Sequence, residues 1–111
     1  MPEITKNVTF DTIAREWRLK WDTKETLAAV QEQLDAVKSE MKGLKGLKGV
    51  QRVVCGGCLD YKVIVSLDAG AFGDWEGAKF APETKFLEAV SKIKGVSKVE
   101  TQTFTLMPVD I

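Results

Sequence analysis

Apolar and polar residues alternate from Ile13 to Trp21, and this period of two predicts a β-strand with one buried face. The positions on that face are Ile13, Arg15, Trp17, Leu19 and Trp21. Arg15 is the one charged residue among them. Because two tryptophans share the face, we expect Trp17 and Trp21 to lie in the core.

The spacing of apolar residues then changes to three and four, which predicts an amphipathic helix. Its apolar stripe consists of Leu27, Val30, Leu34, Val37, Met41 and Leu44. Asp22, followed by Glu25 three positions later, is typical of a helix N-cap. The stripe covers too few heptads for a coiled coil, so the helix is expected to pack on a sheet.

A hairpin is predicted in the middle of the chain. Two β-rich runs, Val50–Val54 and Tyr61–Leu67, flank the sequence Cys55-Gly-Gly-Cys58. Glycine accepts the positive φ that a tight hairpin turn requires, so Gly56 and Gly57 are expected to form the turn.

The remaining elements complete a known order. After the hairpin, the sequence predicts a short helical turn over 72–76, a second helix over 82–94 and a last strand over 96–107. The order β-α-β-β-α-β is the ferredoxin-like pattern of the α+β class, with an antiparallel four-stranded sheet and two helices on one face. Residues 1–111 are expected to form a single domain, with residues 1–11 as a flexible arm or an edge extension.

Charge and composition exclude several functions. The 16 basic and 16 acidic residues give a net charge of zero, whereas nucleic-acid and anionic-membrane binding rest on an excess of Lys and Arg. The chain contains no histidine, which removes histidine-based triads, imidazole metal sites and proximal-histidine haem ligation. No cofactor is predicted. Residues 1–10 lack the apolar core of a signal peptide, so a cytoplasmic location is expected.

Two segments, G-V-Q-R-V-V-C-G-G-C-L-D-Y-K-V-I-V-S-L and K-I-K-G-V-S-K-V-E-T-Q-T-F-T-L, resemble the dimeric α/β-barrel superfamily. The matching positions are Gly57, Asp60 and Tyr61 in the first segment and Gly95, Val96, Val99, Glu100 and Thr101 in the second. They are similar to the ligand-binding domain of the Lrp/AsnC regulators, and the aromatic F-G-D-W-E segment is similar to the stress-responsive members of the superfamily. No helix-turn-helix precedes the domain, so DNA binding is not implied. The resemblance implies a homodimer or larger ring with a small molecule bound between paired sheets.

The face of the sheet turned away from the helices supplies the candidate ligand-binding residues. They are Glu16, Arg18, Lys62, Ser66 and, from the last strand, Gln102. The phase of that strand is left open: either Lys98, Glu100, Gln102 and Phe104 or Val99, Thr101, Thr103 and Thr105 share this face. Trp75 lies in a glycine-flanked segment and is expected to be partly exposed at a pocket mouth. A solvated sheet face, or salt bridges in a dimer interface, would give the same pattern.

Three functional hypotheses follow. The first is a small-molecule-binding or oligomerisation module without catalysis. The alternative is a cofactor-independent enzyme that performs proton transfer or cyclisation on a hydrophobic substrate, with Tyr61 and either Glu16 or Glu100 as acid–base groups. The third is a thiol or metal protein that uses Cys55 and Cys58. A β-strand follows these cysteines, so the helix N-terminus that activates thioredoxin-type thiols is missing, and a hairpin with two reduced, semi-buried cysteines is the simpler interpretation.

Overall fold

The structure is a computed structural model that describes all 111 residues. The elements in chain order are β1 (Glu3–Thr5), β2 (Val8–Thr9), β3 (Thr12–Lys20), α1 (Lys24–Lys42), β4 (Leu47–Cys55), β5 (Asp60–Asp68), α2 (Ala69–Gly77), α3 (Glu83–Ser91) and β6 (Ser97–Leu106). Strands β4, β5, β3 and β6 form an antiparallel sheet in that spatial order. The predicted ferredoxin-like fold is confirmed, and the short helical turn predicted over 72–76 is part of a longer helix, α2.

The core lies between the sheet and the helices. On the sheet side, Trp17 pairs in register with Val63 and stacks on Phe86 of α3, with ring centroids 5.2 Å apart. On the helix side, the predicted α1 stripe is buried from Val30 to Met41. Each such aliphatic side chain contributes roughly 1.5–3 kcal/mol through its removal from water. Trp17 and Trp21 are both buried, as predicted.

Helix α1 begins one residue later than predicted. Thr23, not Asp22, is the N-cap, and its hydroxyl accepts a hydrogen bond from the backbone N–H of Thr26 at 3.2 Å. The Asp22 carboxylate accepts from the Thr26 hydroxyl at 2.5 Å and from the Thr23 N–H. Both residues therefore satisfy donors of the first helical turn.

The hairpin turn differs from its predicted form. Leu59 takes the left-handed conformation with φ 59°, whereas Gly56 and Gly57 do not have positive φ. Register pairs continue to the end of the ladder at Cys55 and Asp60. The residue with positive φ is therefore Leu59, directly before β5, and not either glycine of the turn.

Residues 1–11 form a small hairpin of their own. Strands β1 and β2 pair with each other and not with the main sheet, so the predicted edge extension is wrong. The Phe10 N–H donates to the Pro2 carbonyl at 3.0 Å and ties the segment together. No helix in the chain combines the length and apolar character needed to cross a membrane.

Candidate functional site

A groove runs between α1 and the edge strand β4, on the helix side of the sheet. It consists of two cavities of about 380 and 510 Å³ that share Gln31 and Arg52. The apolar lining consists of Leu27, Ala28, Leu34, Met41, Leu47, Val50 and Val54. Val50 and Val54 belong to β4 and stay 38% and 41% exposed, because no helix covers the inner face of this edge strand. We call this feature the α1–β4 groove.

A polar cluster lies where the two cavities meet. The Tyr61 hydroxyl donates to Gln31 Oε1 at 2.8 Å, and Arg52 Nη1 donates to the same oxygen at 3.0 Å. Gln31 Nε2 in turn donates to Asp35 Oδ1 at 3.0 Å, and Lys38 Nζ lies 2.6 Å from that carboxylate oxygen. Two donors from the sheet therefore converge on one acceptor from the helix.

The protonation states in this cluster are set by burial and by charge. Burial raises the pKa of Tyr61 to about 12, against the opposing positive charge of Arg52. The phenol is therefore protonated at neutral pH and donates hydrogen bonds. Hydrogen bonds from Lys38 and Gln31 lower the pKa of Asp35, which keeps this carboxyl group ionised.

The predicted open-face residues do lie together on the far side of the sheet. Gln102 Nε2 donates to Glu16 Oε2 at 2.7 Å across β6 and β3, and Glu16 is only 4% exposed. Arg18 Nε lies 3.9 Å from Glu100 Oε1. The other two members of the predicted set, Lys62 and Ser66, pair in register with Arg18 and Ala14.

Trp75 does not belong to this face. It is 5% exposed, so the predicted partial exposure is wrong. Its indole N–H donates to the Ala81 carbonyl at 2.8 Å, and its ring meets Phe72 and Phe80 edge-on. Trp75 therefore belongs to the core, together with Phe72 of the same helix.

The three predicted acid–base groups are separated by the sheet. Tyr61 is 1% exposed and pairs with Leu19 on the helix side. Glu16 pairs with Ile64 and Gln102 on the opposite side, and Glu100 pairs there with Arg18. Because successive side chains of a strand point to opposite faces, Tyr61 does not share a substrate with either glutamate within one chain.

The two cysteines are joined. Cys55 and Cys58 form a disulfide at the hairpin tip, with Cα atoms 5.5 Å apart, in contrast to the reduced pair expected. Oxidised sulfurs are not thiolate ligands, and the structure contains no cluster of three or more Cys, Asp or Glu suited to a metal ion. The tip is therefore closed by a disulfide and offers no thiolate to a metal ion in this state.

Sequence reasoning missed the residues at the centre of the groove. Gln31 begins the polar run Gln31-Glu32-Gln33 of α1 and Arg52 follows Gln51 in β4, so nothing in the sequence distinguishes either residue from an ordinary surface position. Arg15 was recognised as the one charged residue on the core face of β3, but nothing in the sequence pointed to its partner, Glu83.

Comparison with known proteins establishes the fold. No protein-family model matches the chain, and no curated protein matches it significantly. Among solved structures, a monooxygenase from Streptomyces coelicolor in complex with nanaomycin D is 14% identical, with a TM-score of 0.68 over 92% of each chain. A cofactor-independent oxygenase from Streptomyces nogalater is 17% identical, with a TM-score of 0.59 over 89% of this chain and 96% of the other.

A conserved protein from Methanosarcina mazei is 8% identical, with a TM-score of 0.63 over 86% of this chain and 93% of the other. The fold is thus the ferredoxin-like fold that these solved structures share, as the order of elements in the sequence predicted. The narrower resemblance to Lrp/AsnC domains stays a prediction.

Proposed function

We propose that this chain binds an apolar, ring-containing small molecule with an acidic oxygen in the α1–β4 groove and acts on it by proton transfer without a cofactor. The observation that carries this proposal is the convergence of Tyr61 and Arg52 on one oxygen inside an apolar groove. The two oxygenases with the same fold support an enzyme over a purely structural module.

The polar cluster suits an anionic oxygen. A ligand oxygen that replaces Gln31 Oε1 would accept one hydrogen bond from a neutral phenol and one from a permanently charged guanidinium. Such a pair favours an enolate or phenolate over its conjugate acid, because the positive charge acts in a partly desolvated groove. The groove therefore lowers the cost of removing a proton from the bound molecule.

Asp35 is the candidate base. Its ionised carboxylate accepts a hydrogen bond from Gln31, which lines both cavities, and its side chain is 49% exposed, so a proton taken up there can pass to water. Tyr61 was predicted as an acid–base group, and in this proposal its neutral phenol donates a hydrogen bond to the ligand oxygen. Glu16 and Glu100 have no part in this reaction within the same chain.

A second candidate site is supported by Glu16. Glu16 is only 4% exposed although it lies on the face of the sheet opposite the helices, and Gln102 is its hydrogen-bond partner; a carboxylate is rarely buried to this extent. If two open faces pair in a homodimer, Glu16, Arg18, Lys62, Ser66 and Gln102 line the space between the sheets and supply a polar ligand site there. This is the ligand site that the sequence predicted, without Trp75.

Binding of two related probes distinguishes these possibilities. We expect 2-hydroxy-1,4-naphthoquinone, which carries an acidic oxygen, to bind more tightly than 1,4-naphthoquinone, which lacks it. Loss of the charged contact in Arg52→Gln should weaken binding of the hydroxylated probe by about 10- to 100-fold, the equivalent of about 1.5–3 kcal/mol. Binding of 1,4-naphthoquinone should change little.

Arg18→Gln is the matched control, since it removes the same charge from the opposite face of the sheet. Equal affinity for both probes, or equal loss in the two variants, would contradict the groove as the site. Loss in Arg18→Gln alone would instead support the site between paired sheets.

A further inference from the structure

We propose that the Cys55–Cys58 disulfide is a thiol–disulfide exchange site for a low-molecular-weight thiol, which attacks Cys58 and releases Cys55 as the thiolate. This inference uses the hairpin tip formed by residues 55–60 and does not depend on any ligand of the α1–β4 groove.

Accessibility differs between the two sulfur-bearing residues. Cys55 is the last residue of β4 and is half-buried, whereas Cys58 lies in the turn and is exposed. Exchange requires that the incoming thiolate reach one sulfur from outside, so the rate depends on access to that sulfur. The exposed position of Cys58 makes it the sulfur that is attacked.

The hydrogen bonds at the tip favour Cys55 as the leaving group. The backbone N–H of Cys58 donates to Cys55 Sγ over 3.1 Å. When the disulfide breaks, the electron pair goes to this sulfur, and the same N–H stabilises the new thiolate. The structure gives no equivalent donor to Cys58 Sγ.

The charges around the tip do not oppose formation of a thiolate at Cys55, because a lysine neutralises the nearby carboxylate. Asp60, which pairs with Cys55 in register, would repel a negative sulfur. Lys20 Nζ lies 2.6 Å from the Asp60 carboxylate and also donates to the Cys58 carbonyl at 2.8 Å. The ammonium group therefore cancels the nearby negative charge and leaves the N–H contact to act on the sulfur.

The reaction is balanced with two equivalents of thiol. A thiolate RS⁻ attacks Cys58 Sγ, the disulfide breaks, and Cys55 Sγ takes the electron pair and then a proton from water. A second RS⁻ attacks the R-group sulfur of the mixed disulfide, which gives RSSR and frees Cys58. The protein gains two electrons and RSSR drives the reverse reaction.

The roles of the two cysteines are the reverse of those in thioredoxin-type motifs, in which the first cysteine is the activated one and precedes a helix. Here the first cysteine ends a strand and the second lies in the turn. The ladder also continues next to the tip, where Val54 pairs with Tyr61 and Val53 with Lys62. The disulfide can therefore open without loss of the fold.

The test measures exchange in the folded, full-length chain. We expect reduced glutathione to open the disulfide and oxidised glutathione to close it, as read by alkylation and mass spectrometry, while the circular dichroism spectrum stays native. In single-cysteine variants, oxidised glutathione should modify Cys58 in Cys55→Ser about tenfold faster than Cys55 in Cys58→Ser. Lys20→Met should slow reduction of the disulfide, whereas Lys85→Met, a remote control that removes an exposed lysine paired with Glu40, should not.

Three results would overturn the proposal. The first is a disulfide that opens only after denaturant has unfolded the chain, which would make it a structural crosslink. The second is equal modification of the two single-cysteine variants, or faster modification of Cys55. The third is equal reduction rates in the two lysine variants, because the ammonium at the tip would then have no effect on the leaving sulfur.

Discussion

Arg15 and Glu83, 68 positions apart in the chain, form a bidentate ion pair beneath α3. Arg15 Nε lies 2.7 Å from Glu83 Oε1, the guanidinium stacks 4.1 Å from the centre of the Phe80 ring, and Trp17 Nε1 donates to the same glutamate oxygen at 2.8 Å. This pair fixes the N-terminus of α3 to the central strand β3. It also explains how a charged residue is accommodated on the core face of β3.

Removal of one partner should be costly. In Glu83→Ala, Arg15 and the Trp17 indole both lose an acceptor in a region almost closed to water, so the free energy of unfolding should fall by about 2–3 kcal/mol. Urea denaturation measures this change. Lys85→Ala is the control, since Lys85 forms an exposed pair with Glu40 and its loss should cost less than about 0.5 kcal/mol. Equal losses in the two variants would contradict the structural role of Glu83.

Tyr61 should titrate at unusually high pH. It is the single tyrosine of the chain, so tyrosinate absorbance reports this residue alone, and its midpoint should lie at about 12 in the folded protein. The folded-state pKa is above the unfolded value of about 10, so the associated stability is complete below pH 10 and is lost as pH rises through the folded pKa. The free energy of unfolding should therefore decline above pH 10 in the wild type, but not in Tyr61→Phe. A midpoint near 10 in folded protein would mean that the phenol is solvated.

The open face of the sheet should pair with a second copy of the chain. Native mass spectrometry should detect a homodimer or a larger ring, and the thermal midpoint should rise with protein concentration. Ile64→Glu places a charge in the centre of this face and should give a folded monomer. Ala36→Glu, on the exposed side of α1, is the control and should leave assembly unchanged. A wild-type monomer at all concentrations would contradict the pairing of open faces.

Two glycines near the start of β4 should respond differently to alanine. Gly46 has φ +76°, and an added Cβ would overlap the Ala71 side chain, so Gly46→Ala should lower the free energy of unfolding by about 1–3 kcal/mol. Gly49 has negative φ and open space around it, so Gly49→Ala should be neutral or slightly stabilising. Thermal denaturation of both variants is the measurement. Similar destabilisation of the two would contradict the close packing of Gly46 against α2.

The fold could be predicted from the spacing of apolar residues, because both the period of two along β3 and the helical spacing along α1 were clear. The α1 stripe from Leu27 to Met41 and the alternation along β3 each fix one buried face, and the turn signals between them leave the ferredoxin-like order as the simplest topology. The wrong predictions concern the N-cap and the hairpin turn, where two neighbouring residues can each fill the same role. Thr23 replaced Asp22 as N-cap because either side chain can accept from the first turn, and Leu59 took the positive φ expected of Gly56 or Gly57.

The candidate site was less accessible to sequence reasoning. Gln31 and Arg52 are brought together by the offset between α1 and the sheet edge, which no pattern in the chain encodes. Tyr61 was singled out as an acid–base group, but its alternation with Val63 and Val65 places it on the core face, opposite Glu16, and the register pairs with Leu19 and Gln102 show the two faces directly. Pairing of the cysteines depends on oxidation, which the sequence does not specify.

The uncovered strand β4 also bears on the protein's behaviour at high concentration. Val50, Val53 and Val54 are all exposed on an edge strand, a composition that invites pairing between copies and growth of β-aggregates. Arg52 interrupts this run and therefore works as a gatekeeper as well as a groove residue. Variants that neutralise Arg52 should aggregate more readily on heating, and light scattering should accompany any binding measurement made with them.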